Sequence, residues 1–104
     1  MKSYDKQTII RSLKDQTSRL RHLGVSRIGL FGSYVRMQQN ENSDVDVLVE
    51  FENGKENFDN FMNLCFLLDD VFIDKKVEVV TPASLSSYIA PYILKEVEYV
   101  QIAR

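Results

Sequence analysis

Residues 32–51 read GSYVRMQQNENSDVDVLVEF, and the fold is decided by how this stretch is read. Its second half, 44–51 (DVDVLVEF), alternates almost strictly, which puts Val45, Val47 and Val49 on one face of a strand and Asp44, Asp46, Leu48 and Glu50 on the other. Asp44 and Asp46 are two residues apart, so on a strand their carboxylates point to one side, with Cα atoms roughly 6.6 Å apart. Like charges held together repel, raising one pKa or destabilising the strand unless a divalent cation neutralises them. An oxygen-only set of this kind suits Mg²⁺ or Mn²⁺ better than zinc, because the single His22 and single Cys65 offer no soft-ligand cluster.

Immediately upstream, residues 26–31 (SRIGLF) form a short apolar run consistent with a buried strand. Gly32-Ser33 interrupts it in the manner of a turn into a short helix over 34–38, followed by a polar loop to residue 43. Glycine lets the backbone approach a phosphate closely, and Ser with helix N-terminal amides donates hydrogen bonds to it. Ten residues separate Ser33 from Asp44, enough to return the chain beside the first strand. A triphosphate could then be held at one end by Ser33 and at the other by metals on Asp44 and Asp46.

Outward from this segment, residues 5–22 carry Ile9, Ile10, Leu13 and Leu20 near helical spacing, with Leu23 and a terminating Gly24 beyond. After the turn residues 52–55, positions 57–72 place Phe58, Phe61, Met62, Cys65, Leu68 and Phe72 along one helical stripe, leaving Leu64, Phe66 and Leu67 off it. A third strand is expected over 76–81 and a brief helical turn over 82–85. Pro91 suits the start of a last helix that Tyr92, Ile93, Val97 and Val100 can continue. Cys65 reads as a small buried hydrophobe, and Tyr88, Tyr92 and Tyr99 as packing residues. Three strands among four or five helices argue for an α+β fold: a small mixed β-sheet packed with helices, in a single domain over 1–104.

Composition sets the outer limits. At 104 residues with 44% apolar and 27% charged content, the chain has enough apolar material for one core and is neither disordered nor of low complexity. The lone Cys65 excludes an internal disulfide, and the first residues lack a long apolar stretch, so a soluble, cytoplasmic protein without membrane attachment is expected. Charge is divided unevenly: residues 1–36 hold eight Lys or Arg against two acids, whereas the remainder holds five basic and thirteen acidic residues. Such a field could draw cations to one side and phosphates or acidic partners to the other, although from charge alone a solvated helix face and an acidic surface are the simpler account. The basic first helix lacks the interleaved aromatic platform of a single-strand binder, so direct nucleic-acid binding is not expected.

GSYVRMQQNENSDVD (32–46) resembles the Gly-Ser, ten residues, Asp-x-Asp signature of the polymerase-beta-like nucleotidyltransferases, specifically the minimal nucleotidyltransferases of the MNT or MntA antitoxin type. The resemblance also takes in the basic first helix, the GLFGS approach, the SDVDVLVEF strand, the VEVVTPASL segment and the short C-terminal helix, and so spans essentially the whole chain. It implies a polymerase-beta-like fold, ATP as donor, Mg²⁺ as cofactor in two ions, and Asp44, Asp46 and Glu78 as the catalytic metal ligands. Gly32, Ser33, Arg36 and Ser43 are the corresponding nucleotide-binding set. On its own Glu78 reads as an exposed strand residue, Arg36 serves equally as a solvated helix residue, and Ser43 suits local hydrogen bonding at the turn. Two departures stand out: Glu78 occupies a position where Asp is more usual, and Met37 replaces the small residue that commonly follows the Arg. The implied partner is a helical HEPN-type ribonuclease toxin, silenced by AMPylation of a tyrosine hydroxyl in a type VII toxin–antitoxin pair. The alternative is a catalytically weak antitoxin that blocks its toxin by complex formation.

Overall fold

The computed structural model describes residues 4–103. Among these, helices α1 (Lys6–Asp15) and α2 (Thr17–His22) lead into strand β1 (Val25–Phe31), followed by β2 (Val45–Phe51), helix α3 (Phe58–Val71) and β3 (Val77–Val80). A 3-10 turn (Pro82–Ser84), helix α4 (Ala90–Glu96) and strand β4 (Glu98–Gln101) complete the order. The strands make one mixed sheet, β3-β2-β1-β4, antiparallel at β1–β2 and β1–β4 and parallel at β2–β3. Helix α3 supplies the crossover that a parallel pair requires. Among the described residues no helix is long and apolar enough to cross a membrane.

The β2 alternation does what its pattern dictates. Val45, Val47 and Val49 are fully buried and join Ile28, Leu30 and Val100 in a core closed by Ile9, Leu13, Leu20, Leu64, Leu68 and Phe72. Register then fixes the second face of the sheet: Arg27 opposite Glu50, Gly29 opposite Leu48, Phe31 opposite Asp46 and, across β2–β3, Asp46 opposite Glu78. The polar and acidic residues thus collect on the face turned away from the main core.

Several local readings are corrected. The first helix is two helices: the Thr17 hydroxyl donates to the Lys14 carbonyl at 2.6 Å, and Gln16, at φ −96° and ψ 13°, breaks the helical path. Residues 33–37 form hydrogen-bonded turns, stopped by Met37 in the left-handed region at φ 57°. On α3 the buried positions are Leu64 and Leu68, while Phe58 is 77% exposed and Cys65 half-buried, so the apolar stripe is rotated from the expected one. The helix over 90–96 ends earlier than expected. Val97 turns extended at ψ 136°, and Val100 belongs to a fourth strand that pairs with β1. Tyr88 and Tyr92 stand exposed, whereas Tyr99 packs beside Gly29, its ring beneath the Arg27 guanidinium at 3.7 Å.

Candidate active site

The end of β1 builds the site. Gly32 closes the strand with φ +83°, a conformation that L side chains rarely adopt, and a Cβ placed there would collide with Asp46 Oδ2. The glycine therefore does two things at once: it turns the chain and lets its backbone lie against a carboxylate. The following turn is closed by Val35 and Arg36 amides donating to the Gly32 carbonyl at 3.1 and 3.2 Å, and by Gln38 N–H donating to the Ser33 carbonyl at 2.9 Å. Tyr34, 1% exposed, sinks into the core and anchors the turn, leaving Ser33 partly exposed beside it.

Downstream, the loop is tied at both ends. Asn40 N–H donates to the Ser43 hydroxyl at 2.9 Å, and Ser43 N–H donates to the Asn40 carbonyl at 3.0 Å. Lys75 Nζ donates to the Glu41 carbonyl at 2.6 Å, and Val45 N–H to the Lys76 carbonyl at 2.9 Å. These bonds set the loop against the start of β3 and fix the register that brings Glu78 beside Asp46. Asp44 stands just before β2, so of the two aspartates only Asp46 is held by the ladder.

Asp46 is electrostatically the most perturbed of these groups. Its pKa is pushed up to about 7, first by burial, then by the hydrogen bond and negative charge of Glu78 and by the charge of Asp44; Arg36 opposes the rise. A divalent cation placed among these acids would relieve such crowding. Among the described residues no group of three or more His, Cys, Asp or Glu side chains is placed to hold a metal ion. Mg²⁺ does not need one, since it commonly takes one or two carboxylates and completes its shell with phosphate oxygens and water. Asp46 and Glu78, opposite each other across β2–β3, offer two carboxylates of that kind.

A cleft of about 320 Å³ opens beside the turn, with Gly32, Arg36 and Asp46 on one side and Ile89, Tyr92 and Glu96 of the α4 region on the other. The structure therefore brings Gly32, Arg36, Asp46 and Glu78 together at one end of the strands, with Ser33 adjoining, while the Ser43 hydroxyl is engaged within its own loop. The sequence reading missed Glu96, whose carboxylate accepts from Gly32 N–H at 2.7 Å and from Arg36 Nη1 at 2.9 and 3.1 Å. No spacing rule links position 96 to the turn; only the fold brings them together. Tyr92, expected to pack, is 74% exposed and borders the cleft.

Comparison with known proteins places the chain in a family. The profile of the family described as Polymerase beta, Nucleotidyltransferase matches residues 7–101, and the chain belongs to that family. It is of the minimal, MNT type. The protein adenylyltransferase MntA of Thermococcus cleftensis is 44% identical over 77 residues, which cover 74% of this chain and 76% of that protein. A solved minimal nucleotidyltransferase superposes with a TM-score of 0.70 at 24% identity, covering 94% of this chain and 98% of its own. A crystal structure of a toxin–antitoxin with AMP-PNP has a TM-score of 0.62 at 24% identity, covering 92% of this chain and 72% of its own. At that identity the two structures speak for the fold.

Proposed function

We propose that this chain is an antitoxin that works as a protein adenylyltransferase, moving AMP from ATP to a tyrosine hydroxyl of a HEPN-type toxin. The carrying observation is the contact between Gly32 and Asp46, which sets a phosphate-accepting turn and an acidic, cation-demanding strand at one edge of the same cleft. The relative named protein adenylyltransferase MntA and the toxin–antitoxin neighbour with AMP-PNP support the same reading.

On this reading Ser33 and the amides of the turn orient the β- and γ-phosphates, and Arg36 faces the polyphosphate as a forked cation. Asp44 and Asp46, with Glu78 beside them, would hold two Mg²⁺ ions, which when bound supply charge neutralisation at the triphosphate and a lowered pKa for the attacking hydroxyl. Glu78 is exposed, so it can reach a hydroxyl presented by another protein and accept its proton. The acceptor oxygen bonds to the α-phosphorus, the bond from that phosphorus to the bridging oxygen breaks, and pyrophosphate leaves with the electron pair. The AMP stays on the acceptor.

The test is to incubate the chain with ATP, Mg²⁺ and the protein encoded beside it, and to weigh that protein by mass spectrometry. A gain of one or more AMP units, lost in Asp44→Asn and Asp46→Asn, is expected. Tight binding without a mass gain would replace the enzyme by a blocking antitoxin.

A further inference from the structure

Glu96 is the last residue of α4, where the helix dipole disfavours an acid. Its carboxylate is nevertheless well held. One oxygen accepts from Gly32 N–H at 2.7 Å, and both accept from Arg36 Nη1 at 2.9 and 3.1 Å, so the side chain is drawn across the cleft from α4 to the glycine turn. It is 22% exposed, against 49% for Arg36, so the carboxylate is the more enclosed member of the pair. The two groups that hold it are a backbone amide at a glycine and a guanidinium, the donors that also suit a phosphate oxygen.

We infer that Glu96 is an internal occupant of the polyphosphate site, a carboxylate that stands in for a nucleotide phosphate and must swing away before one can bind. This rests on the nucleotide reading of the Gly32–Ser33 turn. A phosphate oxygen on the Gly32 amide and the Glu96 carboxylate cannot share that donor, because both are anions and the amide carries one hydrogen. Release needs no rebuilding of the fold. Glu96 sits at the end of a seven-residue helix, and rotation of its side chain frees both donors. The consequence is a penalty on nucleotide affinity: apparent affinity is the intrinsic affinity multiplied by the fraction of molecules in which the donors are free. The same ion pair holds the Arg36 guanidinium at the cleft.

The experiment measures ATP binding with Mg²⁺ by titration calorimetry for the parent chain, Glu96→Gln and Glu96→Ala, with thermal melts to verify folding. Glu96→Gln keeps the volume and loses the charge, so the outcome does not depend on the alanine variant being folded. Binding about tenfold tighter in Glu96→Gln, with most of that gain lost when Arg36→Ala is added to both proteins, is the expected result, because the two side chains act on one another. If the parent binds ATP and Glu96→Gln binds equally or more weakly, Glu96 is a structural brace and the inference falls while the nucleotide reading stands. If neither protein binds ATP at millimolar concentration, the nucleotide reading fails and takes the inference with it.

Discussion

Asp46 and Glu78 face each other across the parallel β2–β3 ladder, and the hydrogen bond between them helps to hold the Asp46 pKa near 7. A carboxyl whose pKa is raised on folding binds its proton more tightly in the native state. Its contribution to stability is therefore full below the unfolded value of 3.8 and is lost as pH rises through about 7. The group is half-buried and solvent screens much of the effect, so the loss amounts to about 1 kcal/mol. Without divalent cation the melting temperature is expected to fall between pH 5 and pH 8 by about 4–8 °C, and Mg²⁺ at pH 8, where the carboxyl is already mostly ionised, to restore it. In Asp46→Asn both the fall and the restoration vanish. Calorimetric melts across pH, with and without chelator, test this.

Gly32→Ala carries two separate penalties. The residue lies at φ +83°, and the added Cβ meets the Asp46 carboxylate, which must shift to admit it. The left-handed backbone alone costs about 1 kcal/mol, and the displaced carboxylate raises the total to about 2 kcal/mol or more. Because the same shift moves Asp46, AMP transfer is expected to fall by more than the loss of folded protein explains. Comparing transfer rates at temperatures where both proteins are fully folded separates the two effects.

Met37→Gly is expected to act in the opposite direction. Met37 is the one non-glycine among the described residues with positive φ, at 57°, and its side chain is 70% exposed, so the site gains little from packing. Relief of the backbone, less the extra freedom of the unfolded glycine, leaves a gain of about 0.5–1 kcal/mol. A urea titration with an unchanged slope and a higher midpoint is the measurement. The departure at this position was visible in the sequence as a Met where a small residue commonly stands. Its physical meaning, a turn closed by an L residue in the glycine region, needed the backbone.

That contrast describes how much could be read in advance. The β2 face assignments and the Gly32 turn follow from alternation and residue chemistry, which act locally, so Val45, Val47 and Val49 fell on the core side as expected. Strand β4 was hidden because Val97 and Val100 keep the i, i+3 spacing of a helix, and only pairing of Ile28 with Val100 shows the strand. The phase of α3 was misjudged for a related reason: its 14 residues carry apolar side chains on several faces, and burial of Leu64 and Leu68 depends on where the sheet lies. Glu96 was beyond reach altogether, since it joins a turn 64 positions away.

Glu78→Gln separates the roles assigned to the two facing acids. Removing this charge takes away one of the causes that lift Asp46, so the Asp46 pKa should move down from about 7 toward 3.8, and the metal-free protein should lose less stability between pH 5 and pH 8. If Glu78 accepts the acceptor's proton, transfer of AMP drops by about 10²–10⁴-fold, even at Mg²⁺ and ATP concentrations that saturate the site. A purely structural Glu78 would instead leave the transfer rate near that of the parent once the Asp46 shift is allowed for. The two readouts thus move in opposite directions, with stability at pH 8 improving while catalysis fails. NMR titration of the Asp46 carboxyl alongside the transfer rate records both.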